Sequence, residues 1–564
     1  MASGLIIVPN YMPALDRNGR PYNGANMYFY LDQTTTPTVV YQDANLTIPH
    51  ANPVVSNNSG VFPSIYASAT VPVTVTVTTP TGIPLETYEN VYPSSAIPGV
   101  PLTVPTRTAM KAISPLVFKS VVLTEAGRQG TFVAIAGSPP RSDTQEGVYV
   151  VSNTSGWYWS RIYAPSAYPS VTVFGALGGT NNDTVAVQAS IDVLDGVDLS
   201  LTGSITGWTF GGITLANNQK MTASTKARVT STAQVGGYVV RVRAFGIGTY
   251  AVIENLQFDL AAADDASTAI RFGTGTASVF GARIRGCDFL NCGEAIGQET
   301  HATNWVVDVF VDDCYCYFTR GTQVNLKRSR GFITLRNVKV DHTFNSTAVT
   351  YKGISLTDFI GAEIYETDVV GPTSGTYQAG AYGLYMVGVA GSATVWLRRM
   401  EVDNTRGPAI YLDNFINLKM TDCVVYQNLG PALDIRNVTD MKLENVQIYG
   451  GVGLTGAAAL AHGISLTNVV NGTMTGCSSN LNTGDGLIEV SCTNIGTFGG
   501  TFNNNTGYGI RELTAANRNG RSGVYCLGNG LGSLTQIGAQ SATTAWWPNS
   551  GTFTASTLGA ATVA

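Results

Sequence analysis

The sequence feature that most constrains this chain is a repeat between Pro408 and Gly530. A small–apolar–x–apolar pattern recurs as Ala409-Ile410-Tyr411-Leu412, Ala432-Leu433-Asp434-Ile435 and Gly463-Ile464-Ser465-Leu466, with looser copies at Gly486-Leu487 and Gly509-Ile510. The steps between copies are 23, 31, 23 and 23 residues, so one copy carries an eight-residue insertion. Short apolar alternations at such a period, with no helix-length pattern, predict stacked coils of β-strand. One such coil cannot bury its own apolar side, so neighbours must stack on it.

The pattern extends upstream through Ala269-Ile270, Ala295-Ile296, Gln323-Val324-Asn325-Leu326, Gly353-Ile354-Ser355-Leu356 and Gly383-Leu384-Tyr385-Met386. A second column holds Asn255, Gly286, Asp313, Asn337, Asp422, Asn445, Gly476 and Gly499, each followed by apolar-x-apolar. Gly, Asn and Asp share a position where a tight turn demands positive φ. Glu366 and Arg399 interrupt that column and are expected to mark coils of different shape. The next residue points inward: Leu256, Cys287, Cys314, Val338, Met400, Cys423, Val446 and Cys477. Four of the eight cysteines thus fall in one apolar column as small buried hydrophobes, which requires neither a metal nor a disulfide framework. The turns predict about eleven coils between residues 240 and 530. At ~4.8 Å per layer the rod is roughly 50 Å long.

Composition narrows the function classes. Only 12% of residues are charged and 63 are glycine, which suits a turn-rich β chain. With a net charge of −5 and one short basic run, Lys327-Arg328-Ser329-Arg330, nucleic acid is not an expected partner. No stretch is apolar for long enough to insert in a membrane. Met1-Ala2-Ser3-Gly4 lacks the basic start of a signal peptide, so synthesis in a cytoplasm without a cleaved leader is expected.

Residues 1–112 form a proline-rich block of short expected strands, among them Asn26–Leu31, Thr38–Tyr41 and Val71–Thr78. Its series Asp16-Arg17-Asn18-Gly19-Arg20-Pro21, Tyr28-Phe29-Tyr30, Thr34-Thr35-Thr36-Pro37, Val40-Tyr41-Gln42-Asp43-Ala44-Asn45-Leu46, Asn52-Pro53-Val54 and Ser59-Gly60-Val61-Phe62-Pro63 resembles the N-terminal virion-attachment module of bacteriophage tailspikes and tail fibres. The resemblance covers roughly residues 5–70 and implies anchoring to a phage tail or baseplate protein.

Residues 113–168 read as a small β unit, with strands at Val117–Thr124 and Glu146–Ser152 and an aromatic run Trp157-Tyr158-Trp159 suited to a small core or to sugar binding. The segment Val171–Gly179 and the helix expected from Asn182 or Asp183 to Leu194 then resemble the entry to the pectate-lyase-like right-handed β-helix of tailspikes, where a Phe-Gly-Ala strand precedes an Asp-Asp-Thr helix start. Here that start reads Asn182-Asp183-Thr184. Val187, Ile191 and Leu194 share one helical face, which can cover the open end of the first coil.

The fold class is therefore all-β: a right-handed parallel β-helix over 169–530 with a capping helix, preceded by a small β-rich anchoring domain. Residues 531–564, with Trp546-Trp547, are expected to form a C-terminal cap or trimer clasp, since proteins of this resemblance are homotrimers.

Chemistry is sought where coils present stripes outward. Two residues beyond the turn the stripe reads Asp288, Tyr315, Lys339, Asp368, Glu401, Val424 and Gln447. Four beyond, it reads Leu290, Tyr317, Asp341, Val370, Asp403, Tyr426 and Tyr449. Acids occupy the middle coils and tyrosines the flanks. Asp368 and Glu401 in neighbouring coils would stand ~5 Å apart, and Asp341 and Asp403 two coils apart ~10 Å. Carboxyl pairs at ~5–5.5 Å suit retaining glycoside hydrolysis and pairs at ~6.5–9.5 Å suit inverting hydrolysis. Asp341, Asp368, Glu401 and Asp403 are thus the candidate catalytic residues, and Tyr315, Tyr317, Tyr426 and Tyr449 the candidate sugar-binding ones. The alternative is that the acids are ordinary solvated surface groups.

Ala461-His462-Gly463 is similar to the His-Gly segment of polygalacturonases, but their Asn-Thr-Asp, Asp-Asp and Arg-Ile-Lys motifs are missing in order, and the repeat already accounts for the neighbours of His462. Lys339 beside Asp341 and Arg398-Arg399 beside Glu401 leave lyase chemistry open. No metal or other cofactor is implied. The expectation is a virion-borne tailspike that recognises and depolymerises a bacterial surface polysaccharide, hydrolase favoured over lyase. The alternatives are an adhesin of the same shape that binds without cleaving, and a free pectinase, which the N-terminal block disfavours.

Overall fold

The computed structural model describes residues 4–8, 14, 22–68, 72–91, 102–163, 168–201, 203–231, 237–243, 250–260, 267–273, 279–299, 305–318, 320–342, 351–372, 378, 380–450, 461–513, 519–537 and 545–546. The chain divides into two compact units, Met1–Ile162 and Tyr163–Ala564.

The first unit holds two cores. A four-stranded antiparallel sheet in the order Val54–Val55, Asn26–Leu31, Val73–Thr78, Pro84–Val91 buries Met27, Phe29, Val75 and Phe62. Residues 38–41 form no strand, contrary to expectation. Only isolated bridges occur there, Tyr41 pairing with both Tyr66 and Pro49 and Tyr30 pairing with Pro37 alongside, and the two prolines supply no N–H to extend a ladder on their side. Residues 15–21, which carry the first attachment motif, and Val71 lie outside the described residues.

The second core gathers Val104, Met110, Val121, Phe132, Val150 and Trp159 under a five-stranded sheet. Its strands include Ser120–Leu123 and Tyr149–Val151, shorter than expected. Of the aromatic run Trp157-Tyr158-Trp159, Trp159 enters this core. Trp159 is fully buried and Tyr158 nearly so, while Trp157 lies under the Lys119 ammonium at 4.8 Å.

The second unit opens with a 3-10 turn at Val171–Phe174 where a strand was expected. Ser170 accepts the Thr172 N–H through its hydroxyl, and Gly175 at φ 99° ends the turn, overriding the β-branched run. Helix α1, Thr184–Leu194, follows. Asn182 Oδ1 accepts the Thr184 N–H at 3.1 Å. Asp183 instead points into the protein, where its carboxylate accepts from the N–H groups of Leu177 and Gly178 and pins the glycine loop. Val187, Ser190 and Ile191 are buried, and Gln188 closes two hydrogen bonds with the backbone of Thr214 in the first coils.

Beyond the helix the chain is a parallel β-helix with three faces. One first-face ladder runs Ile213, Val240, Ile270, Ile296, Val324, Ile354, Leu384, Ile410, Leu433, Ile464, Leu487, Ile510, Leu534 without a break. The second face is seen in Thr394–Arg398 and Asn417–Thr421, and the third in Glu401–Asp403 and Val424–Tyr426. Ladders continue into Gly532–Ile537 and Ala545–Trp546. The rest of the expected clasp, 538–544 and 547–564, lies outside the described residues.

The turn between second and third faces is uniform. Asn255, Gly286, Asp313, Asn337, Asp422, Asn445, Gly476 and Gly499 all have φ between 50° and 66°. Glu366 and Arg399 do too, each at φ 51°, so their coils have the common shape rather than a different one. The Arg399 guanidinium pairs with the Glu366 carboxylate of the coil before it at 2.5 Å, an exposed contact between two residues in a conformation that their types rarely adopt. Elsewhere amide–carboxylate bonds link the stacked turns, as from Asn337 to Asp313 and from Asn445 to Asp422.

Inward of the turns, Cys287, Cys314, Cys423 and Cys477 stack with Leu256, Val338, Met400 and Val446, and Thr367 takes the place in the Glu366 coil. All eight thiols are free and buried; burial pushes those of Cys423 and Cys477 up to about 11, leaving them unreactive at neutral pH.

The small first residue of each coil has a steric origin. A Cβ on Gly383 would sit 2.5 Å from Val402 Cγ1 and 2.8 Å from the Ala409 carbonyl oxygen. Backbone in the next coil cannot yield cheaply. Gly383→Ala is expected to lower stability by about 1–3 kcal/mol, read as a drop in the denaturant midpoint at unchanged slope.

Candidate functional site

The third-face register brings the carboxylates together as the turn spacing predicts. Lys339, Asp368, Glu401 and Val424 are successive partners in one ladder, and Asp341, Val370, Asp403, Tyr426 and Tyr449 in the next. Asp288 pairs with Tyr315 and Leu290 with Tyr317 one coil earlier. With period-two alternation and apolar Val340, Val369, Val402 and Val425 buried beneath, every one of these side chains must leave the core. All eight candidate residues therefore share one face over consecutive coils.

Within the stripe, Lys339 Nζ holds an Asp368 carboxylate oxygen at 3.0 Å. Glu401 stands one layer further on, exposed, with Asp368 beside it and Asp403 two residues along its own strand. Partial burial, then the negative charges of Asp368 and Asp403, hold the Glu401 carboxyl above its ordinary range, against a smaller opposing pull from Lys339. Burial raises Asp403 as well. One Asp403 oxygen accepts from the Asn404 side-chain amide at 2.9 Å, and the other is buried without a hydrogen bond.

The tyrosines flank this group at both ends. Tyr315 and Tyr317 lie with ring centroids 3.6 Å apart, and burial followed by Tyr317 and Asp341 raises the Tyr315 hydroxyl. At the other end Tyr426 and Tyr449 stack at 5.4 Å with planes 13° apart. Burial and then the Glu401 charge raise the Tyr426 hydroxyl, which places that ring within electrostatic reach of the acid.

Chemically this is a carboxyl group raised above its ordinary range beside an ion-paired carboxylate, between aromatic faces on which sugar rings can rest. Adjacent layers at ~4.8 Å place Asp368 and Glu401 at the retaining spacing, while Glu401 and Asp403, two residues apart at ~3.3 Å per residue, approach the inverting one. Asp341 and Asp403 are two layers apart.

The lyase option loses one of its bases, because Arg399 is committed to Glu366 at the turn. His462 lies at a first-face coil start, where its Nδ1 accepts the Asp485 N–H at 3.0 Å. Asp485 in turn sits 3.6 Å from Arg511 and accepts from the Tyr508 N–H. Burial would raise its carboxyl, but His462, that N–H and Arg511 together hold it below the ordinary range. The His462 ring thus ties successive coils together. Among the described residues no group of three or more His, Cys, Asp and Glu side chains is arranged to hold a metal ion.

Sequence reasoning missed a surface groove and an interior charge cluster, among other features. A shallow groove of about 510 Å³ on the second face is lined by Trp396, Lys419, Asp440 and Lys442. In the interior, Arg521 is fully buried between the carboxylates of Glu489 and Glu512, the latter at 3.0 Å. A signal for the second existed: both loose repeat copies carry Glu at the inward apolar position, Gly486-Leu487-Ile488-Glu489 and Gly509-Ile510-Arg511-Glu512.

Comparison with known proteins agrees on the fold. Residues 382–531 match the family described as the right-handed beta helix region. No curated protein sequence matches the chain. Among solved structures, it is similar to Pantoea stewartii WceF, a glycan biofilm modifying enzyme with a bacteriophage tailspike-like parallel β-helix fold, at 13% identity and TM-score 0.30, covering 96% of this chain and 67% of that one. It is similar to the enzymatically active domain of bacteriophage CBA120 tailspike protein 4 at 13% identity and TM-score 0.48, covering 64% of this chain and 51% of that one. A third is tailspike protein gp49 of Acinetobacter baumannii bacteriophage Fri1, a capsular polysaccharide depolymerase, at 10% identity and TM-score 0.34, covering 74% of this chain and 75% of that one. The chain spans about half the length of the tailspike protein 4 domain.

Proposed function

We propose that this chain is a bacteriophage tailspike that binds a bacterial surface polysaccharide and cleaves it by glycoside hydrolysis on the third face of its β-helix. The observation that carries the reading is the Asp368–Glu401–Asp403 group, with the Glu401 carboxyl raised by its two acidic neighbours, set between two tyrosine pairs on one continuous stripe. Glu401 acts as general acid on the glycosidic oxygen. Asp368 acts as nucleophile, with Asp403 or Asp341 as the base if a water attacks instead. Tyr315, Tyr317, Tyr426 and Tyr449 bind sugars on either side. The N-terminal unit attaches to a phage tail or baseplate protein, and three chains associate in the virion.

The test is incubation of the purified chain with a panel of capsular polysaccharides and lipopolysaccharides. New reducing ends without absorbance of an unsaturated uronide are expected for at least one of them. Unsaturated product would replace hydrolysis by elimination, and saturable binding with no new ends would make the protein an adhesin.

A further inference from the structure

The first face carries a second cluster, separate from the acidic stripe. Lys352 opens the strand Lys352–Phe359 and is register partner of Tyr382 in the next coil. Its ammonium lies 3.5 Å from the centroid of the Tyr385 ring and 5.7 Å from that of Tyr382. Tyr385 and Tyr411 stack across consecutive coils at 5.1 Å and 9°, and Tyr382 meets Tyr411 edge-on at 5.7 Å. Lys327 ends the first-face strand one coil earlier, where its register partner is Thr357, five residues along the strand from Lys352.

Charge on this face is unevenly compensated. Arg436 is paired with Asp434 at 2.8 Å and Arg511 with Asp485 at 3.6 Å. Among the described residues neither Lys327 nor Lys352 has a carboxylate within ion-pair distance. Burial, and then repulsion from Lys327, hold Lys352 below the ordinary lysine range. The ring faces attract the Lys352 ammonium but leave its positive charge unneutralised, so an anion arriving beside it is favoured. The three tyrosine rings are partly exposed and follow one another over two consecutive coils, which suits an extended chain of sugars. A pyranose packs its C–H face on such rings while its charged group reaches the lysines.

We infer that Lys327 and Lys352, with Tyr382, Tyr385 and Tyr411, bind a carboxylate-bearing sugar of an acidic polysaccharide, on a face other than the one that cleaves. The inference rests on the proposed function only for the ligand being a glycan. A site of this kind would keep the chain on its polymer between cleavage events at the third face.

Hexagalacturonate and neutral maltohexaose, titrated calorimetrically into the full chain at low salt, test it. Hexagalacturonate is expected to bind at least about tenfold more tightly, the worth of one charge-assisted contact. The double substitution Lys327→Met and Lys352→Met should bring its affinity down to that of maltohexaose. The melting temperature should hold or rise, because a repulsion is removed and the stems are kept. Glu401→Gln should leave hexagalacturonate binding intact. Equal affinity of the wild-type chain for the two oligomers, undiminished binding by the double variant, or loss of binding in Glu401→Gln would each overturn the inference. Failure to cleave any polysaccharide while the lysine-dependent binding persists would remove the hydrolase reading and leave this site standing.

Discussion

Glu401→Gln should lower the turnover of whichever polysaccharide the wild-type chain cleaves by about 10²–10⁴-fold, the contribution of a general acid. Binding should change little, because Gln keeps the shape and the hydrogen-bonding capacity of the side chain. The pH profile supplies a sharper readout. Cleavage requires the protonated form of Glu401, so activity falls as pH rises through its pKa. That limb lies above the ordinary glutamate value of 4.5, through burial and the charges of Asp368 and Asp403. Lys339→Met removes the one cation that opposes this and should move the limb further up. Asp403→Asn removes a raising charge and should move it down. Unchanged turnover in Glu401→Gln, or a limb that moves in the opposite sense in both neighbours, would sink the assignment.

The site was legible because its register was. Left-handed turn residues fix where each third-face strand begins, and from there alternate residues must point outward. Asp368 and Glu401 are consequently expected partners, and the structure pairs them so. What misled was residue type at the turn. Glu and Arg are poor choices for positive φ, yet Glu366 and Arg399 adopt the φ common to the stacked turns, with an exposed ion pair between them across the coils. A pairing between residues 33 apart leaves no local trace in the sequence.

Local patterns failed where a cap or a missing donor decided the outcome. Val171–Phe174 carries strand-forming residues, but Ser170 and Gly175 close it into a 3-10 turn. Residues 38–41 look like a strand but make only isolated bridges, Tyr41 with Tyr66 and Pro49, and Pro49 has no N–H with which to extend one into a ladder. The lysine–tyrosine cluster of the first face was invisible for another reason. Lys327, Lys352, Tyr385 and Tyr411 converge only once the coil lengths, which differ through insertions, have been absorbed by loops.

Arg521→Met should unfold or loosen the last coils, at a cost of about 3–5 kcal/mol, because it strands two carboxylates inside the solenoid. Glu489 and Glu512 occupy the inward column that Leu466 occupies one coil earlier, and all three charged side chains are at most 1% exposed. Arg521 contacts both acids and donates to the Ile495 carbonyl at 2.9 Å, while Asn519 donates to Glu489 at 2.9 Å. One guanidinium cannot neutralise two carboxylates. Burial, outweighing the attraction of Arg521 and reinforced by Glu512, therefore raises the Glu489 pKa to about 7. In the unfolded chain this group ionises near 4.5. Folding thus takes up a proton between those values, so its contribution is complete below about 4.5 and lost as pH rises through about 7. Stability of these coils should fall by on the order of 3 kcal/mol between pH 4.5 and pH 8, measurable as hydrogen exchange over residues 487–513. Glu489→Gln should flatten that dependence. Replacing the triad together, with Glu489→Leu, Glu512→Leu and Arg521→Met, should restore or exceed the original stability, since apolar side chains fill the column without desolvating charge. A triple variant as unstable as Arg521→Met alone would mean that the cost lies in lost packing rather than in the stranded carboxylates.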